Sequence, residues 1–211
     1  MGRASLLKSL RRIIYDKRVK DIVLRRIKSF EETRKSRDKT FSELCFCILT
    51  ANYSAKGGLR IQEECEKDFF SFDETNLAEK LRKLGHRYPK SRARYIVEAR
   101  RIYDEVWKTI NSGKDPLEIR KWLVKNVLGL GFKEASHFLR NIGFKNLAII
   151  DRHVLRILNK HGLVRSIPAR LSESKYLGIE MILSKIAEEL KVSLAELDLY
   201  LWYMDTGEVL K

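Results

Sequence analysis

With 211 residues and a mass of 24.8 kDa, the chain has room for one large domain or two small ones around a real hydrophobic core. Lys and Arg number 43 against 28 Asp and Glu, a net charge of +15, and 44% of residues are hydrophobic, which excludes both a disordered chain and a membrane protein. Apolar runs such as Cys45–Leu49 fall far short of a bilayer span. Three cysteines build no disulfide framework, and with none beyond Cys65 a four-cysteine zinc site or iron–sulfur cluster is excluded.

The first thirty residues alternate apolar and basic at helical spacing, unlike a secretory signal. Residues 1–40 hold 14 Lys and Arg against 5 acids, and a surplus of that size points to a polyanion, most simply nucleic acid. The plain alternative is a solvated surface in a thermophile-like protein.

In chain order, almost every segment reads as helix. Leu6, Leu7, Leu10, Ile13 and Ile14 form one apolar stripe; Ile22, Val23 and Ile27 resume the period after a break at Asp16. Thr40 and Glu43 have the spacing of a capping box that opens a helix through Leu44, Ile48 and Leu49. A helix follows Ser54, and another runs from about Glu74 to Leu84 before Gly85. One long helix is expected from Pro89, burying Ile96, Ala99, Ile102, Tyr103, Val106 and Ile110. Asp115-Pro116 opens the segment with Trp122, and Ser193 with Glu196 caps the last helix. The sum is an all-α chain of roughly ten helices by this periodicity.

Residues 127–153 carry the chemistry. Leu128-Gly129-Leu130-Gly131 separates two helices. Glycines there permit positive φ and close backbone approach, and the helix starting near Phe132 turns its free N–H groups toward the loop, a cradle for phosphate. An ordinary tight turn between helices fits the same residues. Lys133 stands in the first turn of the second helix, where the dipole favours a neutral, nucleophilic amine. Asp151 follows eighteen residues later, between the apolar run Leu147-Ala148-Ile149-Ile150 and a new helix, where a carboxylate stays ionised. Singly, Lys133 reads as a surface lysine and Asp151 as a helix cap; together they form an amine and acid pair.

The blocks Leu128-Gly129-Leu130-Gly131-Phe132-Lys133-Glu134-Ala135 and Asp151-Arg152-His153-Val154 resemble the helix-hairpin-helix DNA glycosylases. The sequence departs from that pattern in having Val127 rather than proline before the turn, and no proline before Asp151. Residues GLGFKEASHFLRNIGF and the ending DLYLWYMDTGEVLK are similar to the type 2 8-oxoguanine DNA glycosylases of archaea and some bacteria, which lack an iron–sulfur cluster and end on a lysine, here Lys211.

That resemblance implies two helical subdomains, residues 1–35 plus 148–211 and residues 36–147, the latter carrying the hairpin at about 116–143, with a DNA-facing cleft between them. It implies a bifunctional glycosylase and abasic-site lyase: Lys133 attacks the sugar with help from Asp151, and the resulting Schiff base leads to β-elimination. Gly129 and Gly131 would hold phosphate, while His153 reads, like His137, as structural or as a phosphate contact on DNA. Asn52 would fill the gap left by the extruded base. Lys211, Trp202 and Asp198 would recognise it. Asn52 also suits a helix C-cap, Trp202 a core position, and Lys211 a frayed end.

His137 reads as structural or a phosphate contact, and Cys45, Cys47 and Cys65 as packed small hydrophobes. The resemblance implies that no cofactor is required and that a monovalent cation can be held by hairpin carbonyls near Val127 to Leu130. The expected setting is a cytoplasmic, nucleoid-associated prokaryotic monomer acting on double-stranded DNA that contains 8-oxoguanine or abasic sites. The rival readings are a glycosylase for another oxidised base and a non-catalytic helix-hairpin-helix DNA-binding module.

Overall fold

The structure, a computed structural model, describes residues 2–210. Among the described residues there are thirteen helices and no strand, and no helix is long and apolar enough to cross a membrane. The helices are α1 (Arg3–Tyr15), α2 (Lys17–Thr33), α3 (Arg37–Thr50), α4 (Ala55–Cys65), α5 (Asp68–Ser71), α6 (Glu74–Lys83), α7 (Pro89–Arg101), α8 (Tyr103–Ile110), α9 (Pro116–Asn126), α10 (Phe132–Asn141), α11 (Arg152–Lys160), α12 (Glu173–Leu190) and α13 (Leu194–Thr206).

The chain divides into two compact units, residues 1–32 with 139–211, and residues 33–138. The expected boundaries at 36 and 147 therefore move to 33 and 138, so α10 begins in one unit and ends in the other. In the terminal unit α13 packs against α1, α11 and α12. In the central unit α7 packs against α3, α5, α6 and α8, while α3 also meets α4. Every residue of α3 from Thr40 to Thr50 is buried, so this helix is enclosed on all sides, its polar Ser42 and Glu43 paired with Gln62.

Local signals set most helix starts. Ser54, Asp73, Asp115, Asp151 and Ser172 each accept a backbone N–H of the first turn, which satisfies a donor the helix itself leaves free. Ser193 and Glu196 form the reciprocal capping box. Two expectations are corrected. Helix α3 starts a turn before the Thr40–Glu43 pair, capped by Ser36 through Lys39 N, and Thr40 Oγ1 instead donates to Thr33 O at 3.2 Å. The long helix from Pro89 breaks at Ile102, whose φ of −102° and ψ of 13° end α7 and start α8.

Candidate active site and nucleic-acid interface

The turn of the hairpin lies in the central unit. Helix α9 stops at Val127, whose carbonyl accepts from Leu130 N at 3.3 Å and closes the turn. Gly129 has φ +86°, and a Cβ there would come within 2.5 Å of Tyr95 Cδ2. Only glycine combines that backbone with that closeness. Gly131 differs from the expectation: its φ is not positive, and its N–H donates to Glu134 Oε2 at 3.2 Å. The amide expected to face a phosphate is therefore capped by the carboxylate three residues on. The spacing Gly-x-x-Glu was the signal for this cap.

Lys133 is the second residue of α10, and its Nζ lies 3.7 Å from Glu134 Oε1. The ammonium thus meets a carboxylate as well as the helix N-terminus, two opposing fields. Arg120 of α9 is fully buried, donates to Ser136 Oγ at 3.1 Å and stacks over the Phe132 ring at 5.2 Å. It ties the hairpin's two helices on both sides of Lys133 along the chain. His137 is buried against Phe46, ring centres 5.6 Å apart, in the core rather than at a surface.

Asn52 follows the end of α3 in the left-handed region, φ +58°, and is exposed. A non-glycine residue there costs about 1–2 kcal/mol, although asparagine tolerates it better than most. The carbonyls behind it are held by side chains. His86 Nε2 meets Leu49 O at 3.0 Å while its Nδ1 accepts from Tyr88 N at 3.0 Å, which fixes the proton on Nε2. Burial lowers the His86 pKa and so favours the neutral ring, against the opposing effect of its bond to Leu49 O.

Asp151 belongs to the terminal unit. Its Oδ1 accepts from Val154 N at 2.9 Å, capping α11. The segment before it, 147–150, is irregular and buried, so its backbone groups need partners. Helix α12 supplies them: buried Glu180 accepts from Ala148 N at 2.8 Å, and Tyr176 Oη donates to Ala148 O at 2.8 Å while accepting from Ile150 N at 3.3 Å. Neither residue was singled out by sequence, since each lies more than twenty-five positions from its partner.

Two residues beyond Asp151, His153 packs against Trp202 of α13, ring centres 4.5 Å apart. His153 Nδ1 is hydrogen-bonded to Asp205, which also accepts from Arg156 Nη2 at 3.2 Å. The hydrogen bond from His153, with Arg156 adding to it, holds the Asp205 carboxyl below its ordinary range against the opposing effect of partial burial. Asp205 and Arg156 were not anticipated. Trp202 is half-buried, and its Nε1 has no hydrogen-bond partner among the described residues. Asp198, expected as a polar contact to the base, is instead the partner of buried Arg140, with Nη1 to Oδ2 3.2 Å, while Arg140 sits 4.9 Å over the Phe30 ring. Lys211 lies outside the described residues.

An all-α fold with a glycine-turned hairpin in one unit and a helix-capping aspartate in the other places the chain among the helix-hairpin-helix DNA glycosylases. A family model for 8-oxoguanine DNA glycosylase matches residues 23–192, and the chain belongs to that family in its archaeal-type form. It is 54% identical over 194 residues to an 8-oxoguanine DNA glycosylase/AP lyase of Korarchaeum cryptofilum, covering 92% of each chain. To the protein of that name from Thermotoga maritima it is 47% identical over 206 residues, covering 97% of this chain and 98% of the other. The crystal structure of the Methanocaldococcus jannaschii 8-oxoguanine glycosylase/lyase in complex with 15mer DNA containing 8-oxoguanine superposes with a TM-score of 0.94 at 47% identity, covering 98% of this chain and all of that one.

Proposed function

We propose that this chain is a base-excision-repair enzyme that removes 8-oxoguanine from duplex DNA and then cleaves the abasic site. The observation that carries the reading is near-full-length identity of 46–54% to relatives named for both activities. The basic surface and the hairpin support binding of the phosphate backbone, and a base inside the duplex must be flipped out before its glycosidic bond can be reached.

In the proposed reaction the neutral amine of Lys133 attacks the anomeric carbon as the bond to N9 of the base breaks, and the base departs with a proton. Asp151 accepts the proton lost by the lysine nitrogen, passes it to the departing base, and stabilises positive charge on the sugar. Opening of the sugar ring turns the new carbon–nitrogen bond into a protonated Schiff base. This acidifies the neighbouring C2′ hydrogen, and its loss expels the 3′ phosphate. Water then releases the lysine.

The amine and carboxylate suffice for these steps without a resident cofactor. A monovalent cation would be held by the hairpin carbonyls, of which that of Val127 already accepts from Leu130 N, and it would draw a phosphate to the turn. Trp202 is proposed to stack on the flipped base and Lys211 to discriminate it from guanine. His153 and the turn at Gly129 would serve the flanking strand, and Asn52 the gap left in the stack. The protein is proposed to act as a monomer in the prokaryotic cytoplasm.

Borohydride trapping on an 8-oxoguanine duplex tests the lysine. Wild type should form a covalent adduct and Lys133→Gln none, with Asp151→Asn slowing adduct formation at least a hundredfold. Undiminished trapping by Lys133→Gln removes that residue from its role.

A further inference from the structure

Two turns of the central unit are joined through one buried side chain that the reaction above does not use. Arg92, in the first turn of α7, is buried, and its Nη2 donates to Ala51 O at 2.5 Å. Ala51 is the residue immediately before Asn52, so the bond falls on the peptide that leads into the left-handed turn. A guanidinium also suits this place electrostatically, because the last carbonyls of α3 carry the negative end of the helix dipole. On its other side the guanidinium carbon lies 5.6 Å from the centre of the Tyr95 ring, with Tyr88 at 5.7 Å. The Tyr95 ring is the surface that Gly129 approaches so closely that a Cβ would overlap it. A continuous path therefore runs from Asn52 through Ala51, Arg92 and Tyr95 to the bend of the hairpin, all within residues 51–129.

The surroundings are those of a hub rather than of a surface arginine. Burial opposes its charge, while the Tyr95 and Tyr88 rings and the carboxylate of Glu134 act in its favour. Glu134 is also the residue that caps Gly131 and faces Lys133. His86 holds Leu49 O, and Tyr53, one residue past Asn52, stacks on His86 at 4.3 Å and donates to Gly85 O at 3.3 Å. The backbone around Asn52 is thus pinned at each step, while its own side chain stands exposed. A residue held in a sparsely populated backbone region by surrounding bonds is a recurrent device for presenting one side chain rigidly.

We propose that Arg92 is a positioning residue that fixes the Asn52 turn to the hairpin turn, so that the side chain entering the base stack and the backbone gripping the phosphates engage DNA in one register. The proposal rests on the reading of Asn52 as the residue that fills the gap left by the flipped base.

The test compares single-turnover excision of 8-oxoguanine opposite cytosine with excision of 8-oxoguanine opposite an abasic site, where no partner base is left to support. Arg92→Met should lower the first rate tenfold or more and the second less than threefold. Asn52→Ala should show the same selectivity, and the double variant should be no slower than the slower single one, since both changes disable one device. Arg92→Lys, which keeps a charged donor toward Ala51 O, should recover to within threefold of wild type. If Arg92→Met does not fold, Arg92→Gln carries the same comparison.

Equal losses on both duplexes, or losses that multiply in the double variant, overturn the positioning role. A selective Asn52→Ala beside an unselective Arg92→Met overturns this proposal alone. An Asn52→Ala enzyme of wild-type rate on both duplexes overturns the reading of Asn52, and the proposal with it.

Discussion

Lys133 and Asp151 are held by opposite means. The lysine stands on a device built within a few residues: a glycine bend at Gly129, an amide capped by Glu134, and the first turn of α10. Asp151 stands at the end of a buried segment without regular structure, whose backbone is fastened from a distant helix by Tyr176 and Glu180. Local geometry fixes the seat of Lys133, and long-range hydrogen bonding fixes that of Asp151. Damage should accordingly look different in the two places: a steric and backbone effect at the hairpin, an unsatisfied polar group at the segment.

The largest effect is expected at the bend. Gly129→Ala imposes a left-handed alanine, about 1–2 kcal/mol, and forces a methyl into Tyr95, typically about 1–3 kcal/mol of overpacking. Duplex affinity, followed by fluorescence anisotropy, should fall more than tenfold. Gly131→Ala is the contrast: φ is unremarkable there, and a Cβ would meet only the Glu134 carboxylate oxygen at 3.1 Å, the end of a flexible side chain, so its loss should stay below threefold. Equal losses would mean that strain at the bend is not what sets affinity.

Next comes Glu180→Ala, which strips the buried Ala148 N–H of its acceptor at about 1–3 kcal/mol. That corresponds to a drop in melting temperature of several degrees for a chain of this size. Excision should slow while duplex affinity stays within twofold, because the change reaches the seat of Asp151 and leaves the hairpin alone. Tyr176→Phe, which removes bonds to Ala148 O and Ile150 N while keeping the ring, should give the same pattern at about half the thermal shift. Affinity falling with rate in either variant would break the contrast between the two seats.

The smallest effect is expected at Asp205. Its carboxyl is held below the ordinary value of 3.8 in the folded state, so it contributes stability that is present above that pH and lost as pH falls through the folded value. Both partners are partly exposed, so the contribution is screened. Asp205→Asn should therefore flatten the melting-temperature profile below about pH 4 and shift it by no more than a degree or two near neutrality. A shift larger than that of Glu180→Ala would place the stronger fastening of the terminal unit at α13 instead.

Legibility followed sequence distance. The caps at Ser54, Asp115, Asp151 and Ser193 could be read because donor and acceptor lie two or three residues apart. The same rule misled at Thr40 and Glu43, which have capping-box spacing but lie buried inside α3, because Ser36 one turn earlier takes the role. Gly129 and Gly131 look equivalent in the sequence, yet only the first has a positive φ, since the second is already the entry to a helix. Asp198 kept its place on α13 but not its expected freedom, because Arg140, fifty-eight positions away, claims it.

The order of residues by itself determined an all-helical chain, a basic N-terminal stretch, a glycine bend followed at once by Lys133, and a capping Asp151. Each of these depends on periodicity, charge or hydrogen bonds confined to a turn or two of chain. Only the folded molecule decided that Tyr176 and Glu180 fasten the segment before Asp151, that Asp205 faces His153, and that Arg92 bonds Ala51 O beside the Tyr95 ring that Gly129 approaches. Those bonds span twenty-six to fifty-two positions. At such separations it is helix packing, and no local preference, that brings a donor to its acceptor.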